Sequence, residues 1–237
     1  MAEQVAENVY VIQLSNYTSP VVKEDLAGGD KWVSYGEDNN YYQHLIDRFL
    51  GSPTNNACIT GIAQLIYGEG LDATDEAPTQ LTVLKTIFTE DLLKRTAMDV
   101  KLLGAFAWQI STARQMVKHI PVENLRAEKA NQRGQIEAYY YSDNWLEPKG
   151  KYKPRRIPAY GFATKEDAVE VLVTQPYQPG CFYYTPPDYQ GGLQYAELEE
   201  EVSNFHLNNI KNGLAPGMLV NFNNGIPDPA QRQEIES

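Results

Sequence analysis

Five cations crowd one short stretch of this chain: Lys149, Lys151, Lys153, Arg155 and Arg156, interleaved with Tyr152 and Pro154. Such a run suits contact with phosphate, and it equally suits a solvated connection between strands. Other chemistry is thinly represented. The chain has no GxxxxGK[ST] loop, no GxSxG elbow and no HExxH helix. Gly68-Glu69-Gly70 lacks the third glycine of a dinucleotide fingerprint and follows a helical pattern, so it reads as a helix stop. His44, His119 and His206 stand far apart in the sequence and read as ordinary surface or core histidines. Cys58 and Cys181 read as small buried apolar residues. The run Glu197-Leu198-Glu199-Glu200-Glu201 reads as a solvated helix face rather than a general acid–base pair. No catalytic, cofactor or metal site is expected. The 16 tyrosines, with Tyr139-Tyr140-Tyr141 and Tyr183-Tyr184 among them, suit subunit interfaces and strand packing alike.

Charge narrows the partners. With 237 residues, 20 Lys+Arg and 31 Asp+Glu, the formal net charge is −11. From Asp188 onward, eight acids face only Lys211 and Arg232. Tight nucleic-acid binders carry a basic surplus, so any DNA contact here should be local or transient, no stronger than about micromolar at physiological salt. The 42% apolar and 11% aromatic content fills a core, and two cysteines cannot build a disulfide scaffold. No stretch reaches the roughly 18 apolar residues of a membrane span, and the N-terminus lacks the pattern of a signal peptide. A reducing, intracellular compartment is the expected setting.

The elements that must position these residues follow from periodicity. Residues 1–36 read as an extended arm with a strand at 9–12 and a break at 28–30. A helix follows 37–40, with Tyr41, Leu45 and Phe49 on one face and Gly51 at its end. Ser52 and Pro53 open a second helix with Ile59, Ile62, Ala63 and Ile66 inward. A third is expected over 79–103, closed by Gly104. There the period changes to alternation, with Phe106, Trp108 and Ile110 on the buried side. Strands are expected at 117–120, 125–130, 136–141, 169–174 and 181–184, with a connection over 147–158. A last long helix over 193–211 should face Leu198, Val202 and Phe205 inward, before a strand at 218–220 and a helix from Pro229. The fold class is α+β, with early helices packed on an antiparallel sheet.

The order of these segments resembles tailed-bacteriophage portal proteins of the common capsid–tail joining fold. Ser52 to Ala57 followed by Ile66-Tyr67-Gly68-Glu69-Gly70-Leu71 is similar to the family's early helix and its G-x-G-L turn. Leu103-Gly104-Ala105-Phe106-Ala107-Trp108 resembles its step from helix into strand. His119-Ile120-Pro121-Val122-Glu123-Asn124-Leu125-Arg126 and Tyr139-Tyr140-Tyr141-Ser142-Asp143-Asn144-Trp145 resemble the strands that follow. Tyr177-Gln178-Pro179-Gly180, Pro186-Pro187-Asp188-Tyr189 and the helix closing at Ile210-Lys211-Asn212-Gly213 resemble its most recognisable block.

The resemblance covers about 34–237. It implies a wing-like domain over 37–228 and the start of a stem-like helix at 229–237, with stem, clip and crown further downstream. It implies a structural, non-enzymatic subunit of a ring, usually of twelve copies, at one capsid vertex. Duplex DNA would pass through the ring transiently, and the terminase packaging motor, the capsid and tail adaptors would be its partners, with no membrane. A chain ending at 237 is then expected to assemble poorly. Two other readings compete: another head–tail connector component, and a carbohydrate-active module in which Trp32, Trp108 and Trp145 line one cleft.

Overall fold

The computed structural model describes residues 22–23, 31–73, 78–111, 113, 115–164 and 169–211. The features expected at 9–12, 28–30, 218–220 and from 229 lie outside the described residues. The chain divides into two compact units, Met1–Glu199 and Glu200–Ser237, and everything described below except the end of the last helix belongs to the first.

Helix α1 (Tyr41–Gly51) and helix α2 (Pro53–Tyr67) are separated by Ser52 alone. Ser52 is buried, and its Oγ accepts from the Asn55 N–H at 3.2 Å, with Pro53 where a missing N–H costs nothing. Of the expected inward face of α2, Ile59 and Ala63 are buried while Ile62 and Ile66 are exposed. Packing against α1 and α4 covers only that narrow stripe. The third expected helix is two: α3 (Pro78–Ile87) and α4 (Glu90–Leu103). Thr89 breaks the run because its backbone is extended and its side chain caps the Leu92 N–H. Glu90 and Asp91 then sit on the positive end of the α4 dipole.

The strands form three antiparallel sheets. Val22–Lys23 (β1) pairs with Ser34–Tyr35 (β2). The order β4-β3-β8 joins Met116–Ile120, Phe106–Ser111 and Glu170–Thr174; the order β5-β6-β7 joins Leu125–Ala127, Ala138–Tyr141 and Arg155–Pro158. A parallel bridge between Ala159 and Val171 links the two larger sheets. On β3 the expected burial is reversed. Ala105 and Ala107 are fully buried, whereas Phe106, Trp108 and Ile110 are half-buried. Both faces of this strand are covered: Trp108 touches Phe88 at 5.3 Å and donates from Nε1 to Thr96 Oγ1 of α4. Alternation separates two faces but does not rank their depth, and the small residues admit the closer neighbour. The strand expected at 181–184 is irregular, and the expected connection contains β7.

Helix α5 spans Leu193–Lys211 as expected, but Leu193 and Ala196 are its buried residues. Leu198, Val202 and Phe205 are exposed. An apolar stripe shows that one face is apolar, not that something covers it. The glutamates are not all solvated either: Glu199 accepts from Ser52 Oγ and from Thr54 N–H and Oγ1, capping the start of α2.

The core joins α1, α2, α4 and both larger sheets, with the residues just before α1 built into it. Val33 donates its N–H to Ala127 O at 2.8 Å, Trp32 bridges to Glu128, and Val33 and Tyr35 are fully buried. Tyr35 stacks on Tyr184 at 4.4 Å and meets Tyr42 edge-on at 5.0 Å. Tyr184 accepts from the Ala127 N–H and donates to Val33 O, so one phenol ties two backbone segments together.

Beside these rings lies a buried cation. Arg126, 2% exposed, donates from Nε to Asn39 Oδ1, from Nη2 to Asn39 O, and from Nη1 to Glu123 O and Leu125 O. Its guanidinium carbon lies 5.3 Å from the Tyr42 ring centre and 5.0 Å from that of Trp145. Burial lowers its pKa below the usual arginine value. Carbonyls and ring faces replace the water it has lost.

Two substitutions test this core, and a third serves as a control. Gly104 caps α4 at φ +78°, and a Cβ there would meet Thr185 O at 2.6 Å and Pro187 N at 2.8 Å. Gly104→Ala should cost about 2–4 kcal/mol, combining left-handed strain with a backbone clash. Gly134→Ala, at φ +73° in open space, should cost only about 1–2 kcal/mol in urea unfolding. Arg126→Met takes the donor from one buried and two part-buried carbonyls and should lose about 3–5 kcal/mol by the same measurement.

Candidate functional site

The basic run does not act as one strip. Lys149 precedes a short 3₁₀ turn over Gly150–Tyr152, and Arg155 and Arg156 open β7. Pairing Tyr141 with Arg155 and Tyr140 with Arg156 sends the two arginines to opposite faces of the sheet. Arg156 is taken up by Glu128, through Nε at 2.9 Å and Nη2 at 2.7 Å, and Tyr140 donates to the same carboxylate. The Arg156 hydrogen bonds hold the Glu128 carboxyl below its usual range. Arg156 is therefore a structural partner.

Three of the five cations come together. Lys151, Lys153 and Arg155 line a cleft of about 410 Å³ with Tyr141, Ser142, Asp143 and Tyr152. Lys149 stands outside it. Lys151 lies over the Tyr152 ring at 5.6 Å and Arg155 over the Tyr141 ring at 5.9 Å. The floor is fixed by buried Ser142, whose Oγ donates to Tyr152 O or Asn144 O and accepts from the Asn144 N–H. Trp145 anchors the loop further by donating from Nε1 to Asn124 O at 2.9 Å. The Tyr141 hydroxyl donates to Asp143 at 2.7 Å. Its lining combines cationic and hydroxyl side chains of the types that contact phosphate groups.

Other residues singled out in the sequence resolve individually. Gly68 closes α2 at φ +56°. His44 and His206 are exposed. Cys58 is exposed and Cys181 half-buried, so neither is the core residue expected of it. The three tryptophans do not share a cleft: Trp32 and Trp145 meet at 5.3 Å beside Arg126, while Trp108 packs on α4. Among the described residues no group of three His, Cys, Asp or Glu side chains could hold a metal.

One pairing escaped the sequence reading. His119 Nε2 and Asp99 Oδ2 are 2.7 Å apart, bringing β4 against α4 from 20 positions away. Burial pushes the Asp99 carboxyl up, against the opposing pull of His119, and burial also raises Glu123. Between the ordinary carboxylate pKa near 4 and its raised folded value, Asp99 binds more protons folded than unfolded. Its contribution to stability therefore falls as pH rises through that window. Urea midpoints of Asp99→Asn relative to the parent should improve as pH rises above about 4. A relative loss over that range would show that the His119 contact outweighs burial.

No family model matches the chain, and no curated protein matches it. Solved structures do share its fold. Against a chain in the virion of a native gene transfer agent particle the TM-score is 0.57 at 13% identity, covering 82% of this chain and 53% of that one. A chain in the neck of the empty particle, computed with C6 symmetry, gives 0.57 at 12% identity, covering 82% and 54%. A chain in the neck of the native particle, computed with C12 symmetry, gives 0.56 at 13%, covering 82% and 53%. This chain therefore spans about half the length of the particle chains whose α+β fold it shares.

Proposed function

We propose that the chain is a structural subunit of a phage-type portal ring, located in the virion at one capsid vertex. The observation that carries this reading is the shared fold over 82% of the chain with neck chains of a phage-like particle, one of them in a C12 reconstruction. The order of motifs from Ser52 to Gly213, read from the sequence alone, supports the same reading. In this role the protein performs no catalysis. It forms part of the channel through which duplex DNA enters and leaves, and offers docking surfaces to the packaging motor, capsid and tail adaptors. A ring needs two different complementary faces on each subunit. The exposed apolar residues Ile62, Leu65 and Ile66 on α2 and Tyr177 and Phe182 before α5 are available for that purpose.

Particles made without this protein distinguish a portal from another neck component. Loss of a portal should leave heads empty of DNA, because the motor has no seat. Filled heads lacking tails would instead identify an adaptor and overturn the portal reading. Gold-labelled antibody against residues 37–211 should mark one vertex per particle.

A further inference from the structure

We propose that the cleft between Tyr141 and Tyr152 is a sequence-independent binding site for the phosphodiester backbone of nucleic acid, held by Lys151, Lys153 and Arg155. The proposal does not rest on the portal reading, since every residue of the cleft belongs to one chain.

Charge accounting comes first. In a chain with 31 acids and 20 bases, Arg48, Lys94, Arg95, Lys101 and Arg156 each meet a carboxylate, whereas Lys118, Lys129, Arg133 and Lys149 meet none among the described residues and lie outside the cleft. Among the described residues, Lys151, Lys153 and Arg155 form no such pair, although all three surround one concavity. The acid within the cleft, Asp143, takes its hydrogen bond from a phenol.

The lining selects the ligand. An acidic protein segment would want an apolar anchor, because protein interfaces are depleted of Lys, Asp and Ser at their centres. This cleft has no aliphatic side chain among its lining residues. Arg, Lys, Ser and Tyr are the types that contact phosphate and sugar. Each of the two rings has a cation over one face, where it competes with a base for stacking. The site therefore reads backbone and not sequence.

The site is also held ready before any ligand arrives. Ser142 and Trp145 lock the loop, the Lys153 N–H donates to Gly150 O, and β7 fixes Arg155 by pairing with β6. Little backbone ordering entropy remains to be lost on binding. With a net charge of −11 around it and Asp143 within it, the cleft grips weakly.

Fluorescence anisotropy of the full chain with a labelled 20-base-pair duplex tests the proposal. Affinity should fall in the non-specific range of about 10⁻⁴ to 10⁻⁶ M, with a slope of log K against log salt of about −2 to −3 for three cations. The combined variant Lys151→Ala, Lys153→Ala, Arg155→Ala should lose about tenfold or more and flatten the slope. Lys94→Ala, on the exposed pair with Glu90, should change neither. Asp143→Asn should strengthen binding by about threefold, an effect that a merely structural loop would not produce. If the combined variant melts early, Lys151→Ala and Lys153→Ala singly should each lose about threefold. Equal affinity of the combined variant and Lys94→Ala would overturn the site. Polyglutamate binding as tightly as duplex would assign it to an acidic protein. Displacement of duplex by inorganic phosphate, but not by sulfate at equal ionic strength, would reduce it to a pocket for a single phosphate. Either result would sink the backbone assignment. Because the assay uses the free chain, it can fail while particle labelling succeeds, and the reverse.

Discussion

A buried guanidinium with no carboxylate within ion-pair distance among the described residues constrains much of this fold. Isolating a full charge from water costs several kcal/mol, so every direction around Arg126 must offer negative potential. Four donors are consumed by Asn39, Glu123 and Leu125, and the faces by Tyr42 and Trp145. That demand explains Asn39, which sits at φ +58° where most side chains are strained. The twist points both its carbonyl and its side-chain oxygen at the arginine, and Oδ1 also accepts from the Tyr35 N–H. Asn39 is thus spent on the core, and Asn40, the N-cap of α1, makes no side-chain capping hydrogen bond.

The same demand reaches outward to the cationic cleft. Trp145 is held on one side by Arg126 and on the other by its hydrogen bond to Asn124 O, so residues 142–145 inherit the position of the core. Ser142, one turn of chain earlier, passes that position to Tyr152, which frames the cleft. A surface loop with three exposed cations would ordinarily sample many arrangements. Here its ends are pinned by a buried ring and a buried hydroxyl, and only the side-chain tips remain free.

Local signals in the sequence were a good guide to elements and a poor guide to burial. Ser52-Pro53, the tyrosine-rich β6 and the switch of period at Gly104 each specify a local backbone state, and each element formed where those residues placed it. The Thr89 cap was also legible, since Thr-Glu-Asp is a helix start, but the apolar stripe through Leu84 and Leu92 concealed it. Depth was not legible. Whether Ala107 or Trp108 lies deeper, or whether Leu198 is covered, depends on neighbours brought together by the tertiary fold. Pairings such as Arg126 with Asn39 and Ser52 with Glu199 span 87 and 147 positions, and no periodicity reports on them. Of the basic run, composition showed the charge, whereas the strand register decided that Arg155 and Arg156 part company.

That parting bears on the contact with DNA proposed for this acidic protein. A continuous stripe of five cations would hold several phosphates and slow any movement along the duplex, since each contact adds its share of counterion release. Committing Arg156 to Glu128 and leaving Lys149 outside the cleft cuts the contact to three charges, with Asp143 subtracting from those. The surrounding surplus of acid then repels the remainder of the duplex. Contact of this kind is brief and reversible, and it is indifferent to sequence. In the proposed ring those properties would suit a subunit beside a moving duplex, because tight binding would stall the strand.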